Sequence, residues 1–259
     1  MIILLSPSKG QDFDPHPLSD HSQPQLLKQS TELVSGLKKL KPQQIASLMS
    51  VSESLAELNH QRFQDFAVPF QLGPAKQAAL AFKGDVYAGL DAETLTADDW
   101  QFAQQHLRIL SGLYGYLRPL DLIMPYRLEM KTRFANKQGE NLYQFWDDQI
   151  TDLLLADLAD DDFVVNLASN EYFKSVKKKA VSQRIITLHF KDTKEGKTRV
   201  IGFFAKKARG MMARALVQQQ ISEAEAIKQL VVDGYRYDES LSKGNDWVFE
   251  RQQPPPVNG

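Results

Sequence analysis

The chain of 259 residues contains no cysteine. That excludes a disulfide framework, a thiolate zinc site, an iron–sulfur cluster and a thiol nucleophile, and it fits a reducing compartment. Histidine is scarce as well: His16, His21, His60, His106 and His189 lie far apart, without metal-ligand spacing. Asp12, Asp14 and His16 alternate in a proline-containing stretch that reads as a solvated loop, so no resident metal or cofactor is expected. No apolar run approaches the roughly 18 residues a membrane span requires. Met1 to Leu5 is too short for a secretory leader and has no basic residues before it, so the expectation is a cytoplasmic chain that does not enter membranes. There is no P-loop, no dinucleotide fingerprint and no nucleophile elbow. What remains, 42% hydrophobic and 24% charged residues, is ordinary globular composition, long enough to bury a core without staples.

The formal net charge of -1 conceals strong segregation. Residues 1–105 carry 8 basic and 12 acidic side chains, and 106–137 carry 6 and 2. Residues 138–173 carry 0 and 9, 174–214 carry 13 and 2, and 215–259 carry 4 and 7. A local field, not the global sum, captures an anionic partner. Internal pairing between the acidic and basic blocks would draw on the same charges, but 106–214 holds more bases than acids.

Hydrophobic patterning gives a mixed α/β reading. Ile2 to Leu5 and Phe163 to Leu167 read as buried strands, and Arg184 to Phe190 with Thr198 to Phe204 as a hairpin around Glu195-Gly196. Trp247 to Phe249 reads as a last strand. Helical spacing marks Gln25–Leu40, Gln43–Met49, a stretch opened by Ser52-Glu53, Lys76–Phe82, a helix capped by Asp98 or Asp99, Gln144–Leu158, Ala205–Gln219 and Ser222–Leu230. The expected architecture is α+β, a single compact unit with a helical subdomain over roughly 22–125 and a loose tail after Pro254.

Four segments could carry chemistry. In Leu107 to Pro119, Gly112 and Gly115 flank Leu113-Tyr114, with Arg108 and Arg118 on either side. A helix ended by one glycine and restarted after another presents backbone N–H groups to an anion, and the pattern resembles a helix-hairpin-helix turn. A plain glycine-terminated turn fits the same residues. In Pro125 to Arg133, Arg127, Glu129 and Lys131 alternate with apolar residues, a strand pattern with one charged face. Asn166 to Lys174 places Asn166, Asn170 and Glu171 after a buried strand, where α/β sites gather; Glu171 is the acid/base candidate, while helix capping by Ser169 or Asn170 accounts for the same residues. In Phe203 to Arg214, Lys206, Lys207 and Arg209 stand at a strand-to-helix junction. Cations there oppose the helix dipole and call for an anion.

These segments together resemble the YaaA family of peroxide stress resistance proteins. The resemblance runs through Leu5 to Lys9, Phe82 to Leu90, Arg108 to Arg133, Val165 to Phe173, Ala205 to Arg209 and Trp247 to Phe249. One departure is Ser8, where alanine is usual. The resemblance implies one domain over 1–251; the residues after Arg251 have no counterpart in it, and 252–259 is expected to be a flexible tail. The resemblance further implies a helix-hairpin-helix element, a basic cleft, DNA binding, and restraint of iron-driven oxidative damage to DNA in the cytoplasm. On this expectation Lys9, Arg108, Gly112, Tyr114, Gly115, Arg118, Arg127, Lys131, Lys206, Lys207 and Arg209 hold phosphates. Tyr114 stacks on an unpaired base, binding is largely independent of sequence, and a monomer is favoured. An enzyme acting on a nucleotide or damaged base would instead use Glu171 as acid/base beside Asn166 and Asn170. A direct iron binder would need the carboxylates of the acidic block, such as Asp147, Asp148 and Asp152.

Overall fold

The computed structural model describes residues 1–181 and 184–254. Ile2–Leu5, four apolar residues in a row, forms a strand with every side chain buried. A run without polar alternation belongs in a sheet covered on both faces, and this one sits near the middle of such a sheet. It pairs in parallel with Leu107–Ser111 on one side, Ile3 opposite Leu107, and with Val164–Asn166 on the other, Ile3 opposite Val165. The order continues outward from Val164–Asn166 through Ile185–Lys194 and Asp246–Gln252, both parallel, to an antiparallel edge, Arg236–Lys243. The opposite edge is Gly115–Leu117, antiparallel to Leu107–Ser111. Lys197–Arg199 pairs with the end of Ile185–Lys194 and completes the eight-strand sheet. The chain is thus mixed α/β with a mostly parallel sheet.

Leu27–Leu37, Pro42–Met49 and Glu53–Asp65 follow the first strand, the last of them packing on the other two, and Ala97–His106, which leads into the second strand, packs on the sheet. Thr96, not Asp98 or Asp99, caps that last helix, and the Asp99 carboxylate reaches back to the Thr96 N–H at 2.9 Å, a reciprocal cap. Within the stretch 22–125 that the sequence reading made helical, Leu107–Ser111, Gly115–Leu117 and Leu122–Ile123 are strands. Gln144–Leu158, read as one helix, is two, Leu142–Trp146 and Gln149–Ala156, separated at Asp147 with φ of 40°. Lys76–Phe82 contains only the short helix Ala78–Ala81 between two-residue strands. The edge strand Arg236–Lys243 carries no apolar alternation and has no counterpart in the sequence reading. Residue 252, placed in a flexible tail by the sequence reading, belongs to the last strand, and the rest of that tail after residue 254 lies outside the described residues. Among the described residues no helix is long and apolar enough to cross a membrane.

The long helix Gly202–Gln218 crosses the short helix Asp85–Leu90 at glycine-limited distance. A Cβ on Gly210 would stand 1.8 Å from the Val86 carbonyl oxygen, and one on Gly89 would stand 2.2 Å from that of Lys207. Backbone against backbone, the pair fixes where Lys206 and Arg209 point. Arg214, one turn further on, donates to the carbonyls of Leu90 (3.0 Å) and Asp91 (2.7 Å).

Candidate anion-binding cleft

The strand order reverses at Ile2–Leu5. Its successor, Leu107–Ser111, lies on one side and the next parallel strand, Val164–Asn166, on the other. Ligands of open α/β sheets bind in the crevice beyond the strand ends at such a reversal. At its base lie serine contacts. Ser6 Oγ accepts the Ser169 N–H at 2.8 Å and donates to Ser169 Oγ at 3.3 Å. Above this base opens a cavity of about 420 Å³. Its walls come from Ser6 to Lys9, from Gly84 to Val86, from Tyr126 to Glu129 with Lys131, from Ser169, Glu171 and Tyr172, and from Lys206 and Arg209. Gly84 is required where it stands: its φ is 109°, and a Cβ there would meet Ser8 Oγ at 3.1 Å. A shallower cavity of about 1160 Å³ adjoins, sharing Lys9, Arg127, Glu129 and Lys131 and continuing to Ser50 and Arg133.

Five cations, Lys9, Arg127, Lys131, Lys206 and Arg209, therefore share the cavity with three carboxylates, Asp85, Glu129 and Glu171. Glu129 is the internal counterion. It lies 3.1 Å from Lys9 Nζ, 3.2 Å from Lys131 Nζ and 3.4 Å from the Arg127 guanidinium. Burial pushes its carboxyl up, but the bonds from Lys9 and Lys131 outweigh burial and hold it below the usual range. Glu171 accepts the Lys131 backbone N–H at 3.3 Å and lies 3.8 Å from its ammonium. Among the described residues Arg209 has no such partner. Its Nε is buried without a hydrogen bond, as is Arg127 Nε, and desolvation alone lowers its pKa. The side chain as a whole is half-buried and faces the cavity, so its guanidinium is open to an anion there.

The remaining sequence expectations separate on burial. The glycine-flanked turn is not helix-hairpin-helix. Leu107–Ser111 and Gly115–Leu117 are paired strands, so residues 107–117 form a β-hairpin in the sheet. Arg108 is buried and held by Asp157 at 2.8 Å and by the carbonyls of Gln104 and Leu107. Tyr114 is fully buried, its hydroxyl accepting from Met124 N–H at 2.9 Å, so it cannot stack on a base. A Cβ on Gly112 would collide with the Leu128 carbonyl at 2.2 Å, and Gly115 packs against Leu26 and Trp146: both serve the core, not a phosphate. Arg118 reaches the surface but is occupied by Asp121 at 2.9 Å and the Gln23 carbonyl at 3.0 Å. The turn signal arose because two glycines near arginines satisfy a hairpin as well as a phosphate clamp.

Pro125 to Arg133 alternates buried and half-exposed residues as expected, but it joins no sheet. Asn166 is buried, accepting from Ala168 N–H at 3.0 Å, and Asn170 is exposed at the start of Asn170–Phe173; neither lines the cavity. Lys206, Lys207 and Arg209 lie beyond the first turn of Gly202–Gln218, so the expected conflict with the dipole is absent. Lys207 faces away from the cleft, toward two other cavities. Asp147 and Asp148 face Lys177, at 2.7 and 3.9 Å, and among the described residues no group of three histidines and carboxylates gathers as a metal site. Tyr126 and Tyr172, which line the cavity, drew no notice in the sequence because aromatic residues beside charges read as core.

A family model described as peroxide stress protein YaaA matches residues 1–241. A UPF0246 protein of Colwellia psychrerythraea is 52% identical over 256 residues, covering 98% of this chain and 100% of that protein. A UPF0246 protein of Teredinibacter turnerae is 52% identical over 257 residues, again 98% and 100%. One of Shewanella oneidensis is 51% identical over 255 residues, 97% of this chain and 99% of the relative.

Proposed function

The chain belongs to the peroxide stress protein YaaA family, and we propose that it acts by binding DNA through the cleft at the strand reversal. One observation carries the reading: Arg127 and Lys131 from one basic block and Lys206 and Arg209 from another line a single cavity, with Arg209 unpaired. A cavity of this volume is of small-molecule size, so it admits part of a strand and not a duplex. Single-stranded or unpaired DNA is the preferred form, with the adjoining cavity at Gln43 to Ser50 continuing the track. Limiting iron-driven DNA damage follows as shielding of the bound strand, and nicking of DNA by ferrous iron and peroxide should fall when the protein is present.

The test is fluorescence anisotropy with a labelled single strand across a salt series. Four phosphate contacts give a log–log slope near −3 for single-stranded DNA, and Lys206→Ala should reduce it by about 0.7. A salt-independent affinity, or an unchanged one in the Lys206→Ala, Arg209→Ala double variant, overturns the reading. A second reading, an enzyme acting on a nucleotide, draws on Glu171 standing in the same cavity as the arginines. It requires that Glu171→Gln abolish protection against peroxide while leaving DNA affinity intact.

A further inference from the structure

Beyond strand binding in general, the cleft has a charge and a shape that discriminate among phosphates. The five cations and three carboxylates that line it leave a surplus of two positive charges. An internal phosphodiester carries one negative charge, whereas a phosphomonoester carries about −1.5 to −2 at neutral pH and offers three acceptor oxygens. Ser6 and Ser169, hydrogen-bonded to each other, line the cavity, and its volume of about 420 Å³ suits one nucleotide better than a strand that has to enter and leave. At the wall stand two guanidiniums, Arg127 and Arg209, each with a buried Nε lacking an acceptor. The guanidinium fork matches phosphate oxygens two at a time. Ser8, whose Oγ accepts the Gly10 N–H at 3.2 Å, keeps its hydroxyl proton available on the same wall.

We propose that the cleft is a receptor for a terminal phosphate, the phosphomonoester of a nucleotide, with Arg127 and Arg209 as its clamps and Lys206 as the exposed cation at its mouth. The proposal rests on the DNA-binding reading above and sharpens it. Such a group has two sources: the phosphorylated end of a broken strand and a free nucleoside monophosphate. Both are recognised by the same chemistry, and the experiment distinguishes them.

Anisotropy competition with the intact full chain uses four probes: one single-stranded oligonucleotide with a 5′-phosphate, with a 3′-phosphate or with hydroxyl ends, and deoxyadenosine monophosphate. Two charge-assisted bonds gained on a dianion predict that a phosphorylated end binds about tenfold or more tighter than hydroxyl ends. The preference should shrink on moving from about pH 7.5 to pH 5.5, because the second phosphate ionisation lies near 6 while arginine and lysine keep their charge. Tight monophosphate binding with no gain for phosphorylated oligonucleotides assigns the free nucleotide as the source, and the reverse assigns strand ends. Equal affinity for phosphorylated and hydroxyl ends overturns this proposal but leaves DNA binding standing; no binding of any oligonucleotide overturns both. Arg209→Lys retains the charge and loses the fork, so it should erase the end preference. Should that variant melt early, Lys206→Gln, at an exposed position, should still reduce the preference severalfold, and no reduction counts against the proposal.

Discussion

Gly210→Ala tests whether the crossing of Gly202–Gln218 over Asp85–Leu90 sets the cleft. By helix propensity alone the change should stabilise, since glycine inside a helix costs about 0.8–1 kcal/mol relative to alanine. The geometry reverses that sign. The new methyl would lie 1.8 Å from the Val86 carbonyl oxygen and 2.8 Å from the Leu90 nitrogen, both backbone atoms that cannot swing aside. Restoring an ordinary contact separates the helices by roughly 1–1.5 Å, and overpacking of this kind costs about 1–3 kcal/mol, occasionally more. The Arg214 bonds to Leu90 and Asp91 lie across the same gap and lengthen with it, adding about 1 kcal/mol. The net expectation is destabilisation by about 2 kcal/mol. Urea unfolding at unchanged slope reads it, and anisotropy reads the displacement of Lys206 and Arg209 as weaker binding. Gly89→Ala opens the same crossing from the other side, so the double variant should cost less than the two singles combined. Gly202→Ala, on the same helix with open space around it, should be neutral or mildly stabilising. A Gly210→Ala protein as stable as the parent, with full affinity, would refute the close crossing.

Other perturbations follow from the charged groups. Glu129→Gln frees Lys9, Arg127 and Lys131 from their internal counterion, so DNA affinity at low salt should rise by about three- to tenfold, with a salt slope steeper by up to one contact. Because the Glu129 carboxyl is held below its ordinary value, its stabilisation is present above the ordinary carboxylate range and is lost as pH falls through the depressed value. The parent should therefore exceed Glu129→Gln in stability at neutral pH and match it near pH 2 in urea melts. Asp192, fully buried, accepts from Arg251 Nε at 2.8 Å and from the Tyr235 hydroxyl at 2.6 Å. Asp192→Ala leaves the buried guanidinium facing Asp233 alone and should cost about 3–5 kcal/mol without changing DNA affinity relative to folded protein.

Residues whose neighbours are dictated locally were legible. The unbroken apolar run Ile2 to Leu5 can only be a covered strand, and Ala205–Gln219 reads as a helix that the structure begins three residues earlier. What sequence could not supply is which glycines face protein and which face a ligand. Gly112, Gly115 and Gly210 have the same side chain, but the first meets a carbonyl, the second a tryptophan and the third another helix. Arg108 and Arg209 likewise differ only in their surroundings. Asp157 lies forty-nine positions from Arg108, and no local pattern announces that it neutralises one arginine while the other stays unpaired. The alternation of Pro125 to Arg133 foretold its burial pattern correctly because the period reflects one covered side, whether or not a ladder forms. Asp192 with Arg251 escaped notice because each sits in a charged stretch that resembles solvated surface.

The strand near the middle of the sheet is among the last to find both its neighbours. Ile2–Leu5 hydrogen-bonds to Leu107–Ser111 and Val164–Asn166, so its second flank stays bare until some 160 residues have followed. At about 5–20 residues per second, that leaves a sticky apolar tetrapeptide exposed for on the order of ten seconds or more on the nascent chain. The cleft, which opens at the end of that strand, therefore cannot exist as a partial product: it comes into being only when the sheet closes on both flanks of Ile2–Leu5.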